Sequence, residues 1–473
     1  MSLPLIIQGG MGAGVSNWLL AKTVSQMGQL GVVSGTALDS ILIRRLQSGD
    51  IGGHFRRAME HFPVPEMARR IVEKFFIPGG KAVKEAFRRI PMFSLNPSPA
   101  LQEITVVANF TEVFLAKEGH AGAVGINFLE KIQLPNLFSL YGAMLAGVDY
   151  ILMGAGIPRE IPGILDKFVD HEEASLKINV GGAGPEDDYQ MKFDPKKLMQ
   201  KILPRLKRPK FLAIISSVTL AAALLKKANG TIDGFIIEGS SAGGHNAPPR
   251  GPLTLNEKGE PVYGEKDNVD LEKIKSLGLP FWLAGSFGSP EKLKEALKAG
   301  ASGVQVGTAF AFSRESGLSE PIKQKLIEKA LRGEGQVFTD PRASPTGFPF
   351  KVVSLEGSLS EEKEYQVRRR SCDLGYLRHI YKKGNGSLGY RCSAEPIDSY
   401  LKKGGSLEDV AGRKCLCNGL VANIGFPQLQ KGGLLEKPFV TSGDDLRLVA
   451  HLSRNTESPY SAEDVIRYLL SLS

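Results

Sequence analysis

Cysteine is scarce: four thiols in 473 residues are too few to staple a secreted scaffold, and a chain of this length buries enough core to need no staples. A reducing, cytoplasmic setting is the expectation. Long apolar runs are missing as well. No segment reaches the roughly 18 consecutive apolar residues that a spanning helix requires, and the run Phe211–Leu225 is interrupted by Ser216, Ser217 and Thr219. No basic residue precedes Lys22, and Gly9-Gly10 breaks the first apolar stretch, so neither a secretory leader nor a membrane partner is expected. Blocks of one charge are rare too. The balance of 59 Lys+Arg against 50 Asp+Glu gives +9, but the cations are scattered among glutamates, which reads as solvated surface rather than a nucleic-acid face.

What is present is a rhythm. Short β-branched runs ending in glycine recur, each followed by a segment of helical period, as in repeated βα units around a parallel sheet. Eight form the main series: Leu5–Gln8, Gly31–Gly35, Val124–Phe128, Tyr150–Met153, Phe211–Ile215, Gly234–Glu238, Phe281–Ala284 and Gly303–Val306. Eight such units close a TIM (β/α)8 barrel, an α/β fold whose chemistry sits on loops at the strand C-termini. Two further candidate strands, Ile104–Ala108 and Ala174–Val180, are assigned to insertions. One helix is specified closely: Ser289 offers a cap hydroxyl, Pro290 suits the first position, and Gly300 suits the left-handed C′ position.

Three regions leave the rhythm. Residues 50–102, rich in Arg, Phe and Pro, predict a helical insertion able to form a lid. Residues 181–210 read as a solvated loop. After about Lys351 the repeat stops, which predicts a barrel over residues 1–350 and a C-terminal subdomain over 351–473 that holds every cysteine.

Chemistry concentrates where strands end. Glu238-Gly-Ser-Ser-Ala-Gly-Gly-His245 follows a buried-looking strand, and consecutive glycines let backbone N–H groups approach an anion closely. Gly285-Ser286 and Gly307-Thr308 end the next two strands. Three small-residue loops at the same end of consecutive strands are the arrangement of a late barrel phosphate site. His245 projects over the same rim, either as acid, base or anion partner or as a loop hydrogen bond. Arg250 reads as a lure for an anionic substrate or as solvated loop charge.

These residues resemble a known family. Pro4-Leu-Ile-Ile-Gln-Gly-Gly-Met11, Gly125-Ile-Asn-Phe128, Ala242-Gly-Gly-His245, Leu283-Ala-Gly-Ser286 and Val304-Gln-Val-Gly-Thr308 resemble the nitronate monooxygenase (2-nitropropane dioxygenase) family. Its superfamily includes FMN-dependent enoyl-ACP reductases, and Val304–Ser316 looks like their corresponding stretch. The resemblance implies a flavoprotein oxidoreductase with FMN at the strand C-termini. By it, Gly10 and Met11 meet the flavin ring, Asn127 hydrogen-bonds the cofactor, Gly243, Gly244, Gly285, Ser286, Gln305, Gly307 and Thr308 hold the ribityl phosphate, and His245 is catalytic. It implies a small-molecule substrate, either a nitronate or nitroalkane oxidised with O2 or an enoyl thioester reduced with NAD(P)H; a homo-oligomer is compatible with either.

Cys372, Cys392, Cys415 and Cys417 are spaced C-x19-C-x22-C-x-C within 46 residues. Such clustering is what a zinc or iron–sulfur site needs; small buried thiols, with Cys415 and Cys417 on one strand, are the other reading. Arg368-Arg369-Arg370 beside Cys372 leaves a third function class open, an RNA- or partner-binding module, against a charged surface with few aromatics placed for stacking.

Overall fold

The computed structural model describes residues 3–455 and 459–471. Its central sheet has eight parallel strands: β1 (Ile6–Gln8), β2 (Gly31–Ser34), β3 (Val124–Leu129), β4 (Tyr150–Gly154), β5 (Lys210–Ile215), β6 (Gly234–Glu238), β7 (Phe281–Ala284) and β8 (Gly303–Val306). Each pairs with its neighbour in chain order, and β8 pairs with β1 through Ile6 opposite Val304. The seam between β1 and β2 is joined by Gln8 N to Leu30 O at 2.9 Å and Leu30 N to Ile6 O at 3.0 Å. The sheet is thus a closed barrel, and its strands are the eight predicted runs to within a residue at either end.

Strands buried on both faces become continuous apolar runs, which is why these segments stood out. Alternate residues turn inward. Ile7, Val32, Leu152, Leu212, Ile236 and Trp282 fill the interior, and the Trp282 indole N–H reaches Pro4 O at 2.8 Å, closing the end away from the loops. On the outside, Ser289 caps the helix Pro290–Lys298 by accepting from Lys292 N, and Gly300 takes φ +87° just past its end.

Ile104–Ala108 is helix, not strand: it lies inside Pro99–Lys117, which starts at Pro99 with Ser98 accepting from Leu101 N. This helix is packed between the barrel side and insertion helices, so Ile104, Val106, Val107 and Ala108 are all buried. A helix covered all round loses the one-sided stripe that marks it in sequence. Its neighbour Asn136–Leu145 comes so close that a Cβ on Gly142 would stand 2.2 Å from Val106 O.

The insertion does contain helices, His54–Glu60 and Pro65–Phe75. It forms no lid, because Phe62, Met67, Ile71 and Phe75 bury its apolar face in the core around Pro99–Lys117 and none of residues 50–102 lines the cavity described below. The 181–210 stretch is also more than a solvated loop. Gln190–Phe193 pairs with Ala174–Lys177, Val180–Gly181 pairs with the tail strand His379–Lys382, and Asp187 takes Lys382 Nζ at 2.7 Å.

The tail returns to the barrel. Helices Leu446–Asn455 and Ala462–Leu469 pack on Glu320–Leu331 and Trp18–Gln26 respectively, and the Tyr460 hydroxyl donates to Ala309 O at 2.7 Å. Before reaching these helices the chain crosses the rim of the barrel.

Candidate active site

A cavity of about 510 Å³ opens at the C-terminal ends of the strands, in the range that holds a small organic ligand. Gly10, Met11, Asn127, Gly243, Gly244, His245, Gly285, Ser286, Gln305, Gly307 and Thr308 all line it. Residues nominated from five separate strand ends therefore surround one space. Gly10 is glycine for a steric reason: a Cβ there would stand 2.1 Å from Asn127 Oδ1, while Asn127 Nδ2 donates to Gly10 O at 3.2 Å. The Gly285-Ser286 turn runs through φ +95° and +57°, the left-handed region that glycine enters without penalty. Asn127 Oδ1 and Gln305 Oε1 are buried without a hydrogen-bond partner. Buried acceptors of this kind call for a donor, and both belong to side chains on the cavity wall.

The tail supplies part of this wall, which the sequence reading missed. Gly244 N donates to Thr441 Oγ1 at 2.9 Å, Gly443 N to Thr308 Oγ1 at 3.0 Å, and Asp444 N to Ser241 O at 3.1 Å. The crossing is tight: a Cβ on Gly243 would meet Gly443 N at 2.8 Å, and one on Gly443 would meet Ser241 O at 2.9 Å. Lys351, itself buried, clamps the crossing by placing Nζ 2.7 Å from both oxygens of Asp444. The run Thr441-Ser-Gly-Asp-Asp445 directly after an apolar pair, small and polar like the other rim loops, is the signal in the sequence that could have found it.

His245 is held on two sides. Its backbone bridges Phe350, through Asn246 N to Pro349 O and Lys351 N to Gly244 O, both 2.9 Å. Its ring meets Phe350 edge-on at 4.9 Å, and Nε2 lies 2.7 Å from Ser344 Oγ, which continues to Thr346 Oγ1 at 2.7 Å. Burial lowers its pKa to about 4, because charging an imidazole away from water is costly. It is therefore neutral at physiological pH. Ser344, fully buried, was not picked from the sequence; the turn residues of Ala343-Ser-Pro-Thr-Gly347 were its only mark.

Glu238, at the end of β6, also lines the cavity and is pushed the other way. Desolvation raises its carboxyl to about 8, so it carries a proton at neutral pH. Removing the charge should therefore remove a pH dependence. The folded pKa lies above the ordinary value, so the stability this group contributes is complete below about 4.5 and is lost as pH rises through about 8. Glu238→Gln should melt progressively higher than the parent as pH rises from 6 to 9; parallel melting curves across that range would show that Glu238 is not buried protonated.

Arg250 lines the cavity mouth, exposed, with its backbone N–H on Asp267 Oδ1 at 2.8 Å. The arginine run before Cys372 is partly turned inward: Arg368 is 4% exposed and paired with Glu436 at 2.6 Å. Cys415 and Cys417 are not on a strand; Cys415 precedes the helix Leu416–Asn423 and Cys417 lies in its first turn. The zinc or iron–sulfur expectation for Cys372, Cys392, Cys415 and Cys417 is corrected by their placement. Among the described residues no group of three or more His, Cys, Asp or Glu side chains is disposed to hold a metal ion.

Comparison with known proteins fits this geometry in part. Residues 191–338 match the family model described as nitronate monooxygenase, a span that carries β5 to β8 with their loops and His245. A 5-hydroxy-7a-methyl-1-oxo-octahydro-1H-indene-4-carboxyl-CoA dehydrogenase of Mycobacterium tuberculosis is 29% identical over 237 residues, half of this chain and 59% of that protein. A probable nitronate monooxygenase of Bacillus subtilis is 36% identical over 110 residues, 23% of this chain and 30% of that protein. The chain thus covers between 30% and 59% of the length of such relatives. The structure of a nitroalkane oxidase from Streptomyces ansochromogenes overlays 99% of this chain and 95% of that one with TM-score 0.49 and 12% identity. The chain resembles the nitronate monooxygenase family, and its second barrel half, residues 191–338, is the part that matches the family model.

Proposed function

We propose that the chain is an FMN-dependent oxidoreductase that oxidises alkyl nitronates or nitroalkanes with O2. One observation carries the reading: glycine loops, two unpartnered amide oxygens and a half-buried neutral histidine face a single cavity at the mouth of a parallel barrel. The residues fit the cofactor. Asn127 Oδ1 and Gln305 Oε1 await N–H donors of the kind a flavin ring presents, Gly10 leaves room beside Asn127, and the loops at Gly243, Gly285 and Gly307 would hold the phosphate, with Met11 against the ring. Bound there, FMN would supply the electron-accepting chemistry.

The chain's own residues then divide the work. His245 stays neutral and hydrogen-bonded to Ser344, so it orients and donates to a bound anion, or accepts the α-proton of a neutral nitroalkane. Ile214, Leu220, Phe312 and Phe348 exclude water from the substrate side. Arg250 at the mouth favours entry of an anion.

A second reading, NAD(P)H-dependent reduction of an enoyl thioester, draws on the apolar wall and on the CoA substrate in the name of the mycobacterial relative. The two separate in one assay. On the first reading, anaerobic nitronate bleaches the flavin absorbance rapidly and NADH or NADPH does not; rapid bleaching by a nicotinamide with turnover of an enoyl-CoA would replace it with the second.

A further inference from the structure

We infer that the tail crossing over residues 440–445 is a fourth loop of the anion site, in which the Thr441 hydroxyl donates to the cofactor phosphate and Lys351 holds it in place. The inference rests on the FMN reading above and deepens it, because that reading puts the phosphate on barrel loops alone. Val440, Thr441, Ser442, Gly443 and Asp445 line the same cavity as Gly243, Gly285 and Thr308. The barrel loops and the crossing touch one another. A Cβ on Gly285 would stand 3.0 Å from Ser241 Oγ, and one on Gly443 would stand 2.9 Å from Thr308 Oγ1.

Two threonines supply the chemistry. Gly244 N donates to Thr441 Oγ1 at 2.9 Å and Gly443 N donates to Thr308 Oγ1 at 3.0 Å, so one bond runs from loop to tail and the other from tail to loop. A hydroxyl that accepts an amide N–H keeps its own hydrogen to donate. Both oxygens are thus fixed by backbone on the cavity wall, each with a hydrogen left to give, and donors held in this way suit a phosphate oxygen. Ser442 Oγ donates to Gly443 O at 3.0 Å and closes the turn between them.

One strand sets the loop and the tail relative to each other. In Phe350–Val353, Lys351 N donates to Gly244 O and Val353 N to Val440 O, both at 2.9 Å. N–H groups two residues apart leave a strand on the same edge, so loop and tail hang side by side from it. The Lys351 side chain adds a third tie, with Nζ 2.7 Å from both oxygens of Asp444. This pairing also matters for charge. Asp444 and Asp445 are adjacent carboxylates; Lys351 neutralises the first, and the second accepts from Leu448 N at 3.3 Å in the turn that opens Leu446–Asn455. An unpaired Asp444 would repel a phosphate held by Thr441, which makes Lys351 a positioning residue with an electrostatic part.

The test compares FMN with riboflavin, which lacks the phosphate, on the full chain by fluorescence quenching. Thr441→Val removes the hydroxyl at nearly constant volume, and Lys351→Met removes the charge from a buried stem. Each should weaken FMN roughly tenfold and riboflavin less than about twofold, while Thr441→Ser should bind FMN as the parent does. A merely structural role would lower both affinities together. In the parent, amide hydrogen exchange over residues 440–445 should slow with FMN and slow less with riboflavin, a readout that needs no variant. An unchanged ratio of FMN to riboflavin affinity in both variants, or no protection of the crossing by FMN, would overturn the inference and leave FMN binding itself standing. A parent that takes up no FMN would overturn the cofactor reading together with it.

Discussion

His245→Ala retains the flavin and lowers kcat/KM for a nitronate by about 10²- to 10⁴-fold, the range that a positioned acid–base group supplies and equivalent to roughly 3–5 kcal/mol of barrier. The side chain lies on the cavity wall and its backbone bridge to Phe350 survives truncation, so the loss falls on chemistry rather than on binding of the cofactor. The pH profile follows from burial. With its pKa lowered to about 4, His245 is neutral across the working range, and wild-type turnover shows no inflection from this group near 6.5. Stability follows the same linkage: the contribution of the neutral ring is complete above about 6.5 and is lost as pH falls towards 4. Steady-state kinetics of both proteins from pH 5 to 9 check this; an unchanged kcat/KM in the variant would remove His245 from the chemistry.

Gly243→Asp abolishes flavin retention while the barrel still folds. A Cβ at this position meets Gly443 N and Ser442 C at 2.8 Å, so the loop or the crossing tail has to move, and the added carboxylate repels a phosphate at the loop where anion binding is proposed. We expect FMN affinity to fall at least about 100-fold, or roughly 3 kcal/mol, measured by fluorescence quenching with circular dichroism as the check on folding. Gly243→Ala separates the parts: it carries the steric effect without the charge and should fall between parent and Asp variant. Full flavin occupancy in the Asp variant would place the phosphate elsewhere.

The barrel was legible because its signals are local. Each strand is a short buried run, and the glycine that ends it is the residue that lets the loop turn beside a ligand, so the strands and rim loops could be read one unit at a time. What was not legible depends on distant partners. Ile104–Ala108 looked like a strand because its helix is covered on every side. The insertion looked like a lid because nothing in residues 50–102 says which surface its apolar face will cover. The contact of Thr441 with Gly244 spans 197 residues and that of Ser344 with His245 spans 99; no periodicity links such pairs, although both tail segments are short polar turns of the type found on the rim. The cysteine spacing suggested a metal-binding cluster, but Cys415 and Cys417, expected on one strand, lie at the start of a helix.

The cavity on the barrel rim is proposed to hold FMN, and a titration of FMN into flavin-stripped protein measures this directly. Quenching of flavin fluorescence to a one-to-one end point is expected, competed by riboflavin only weakly because the glycine loops hold the phosphate. A chain that is colourless as isolated and leaves FMN fluorescence unquenched at any concentration would contradict the account.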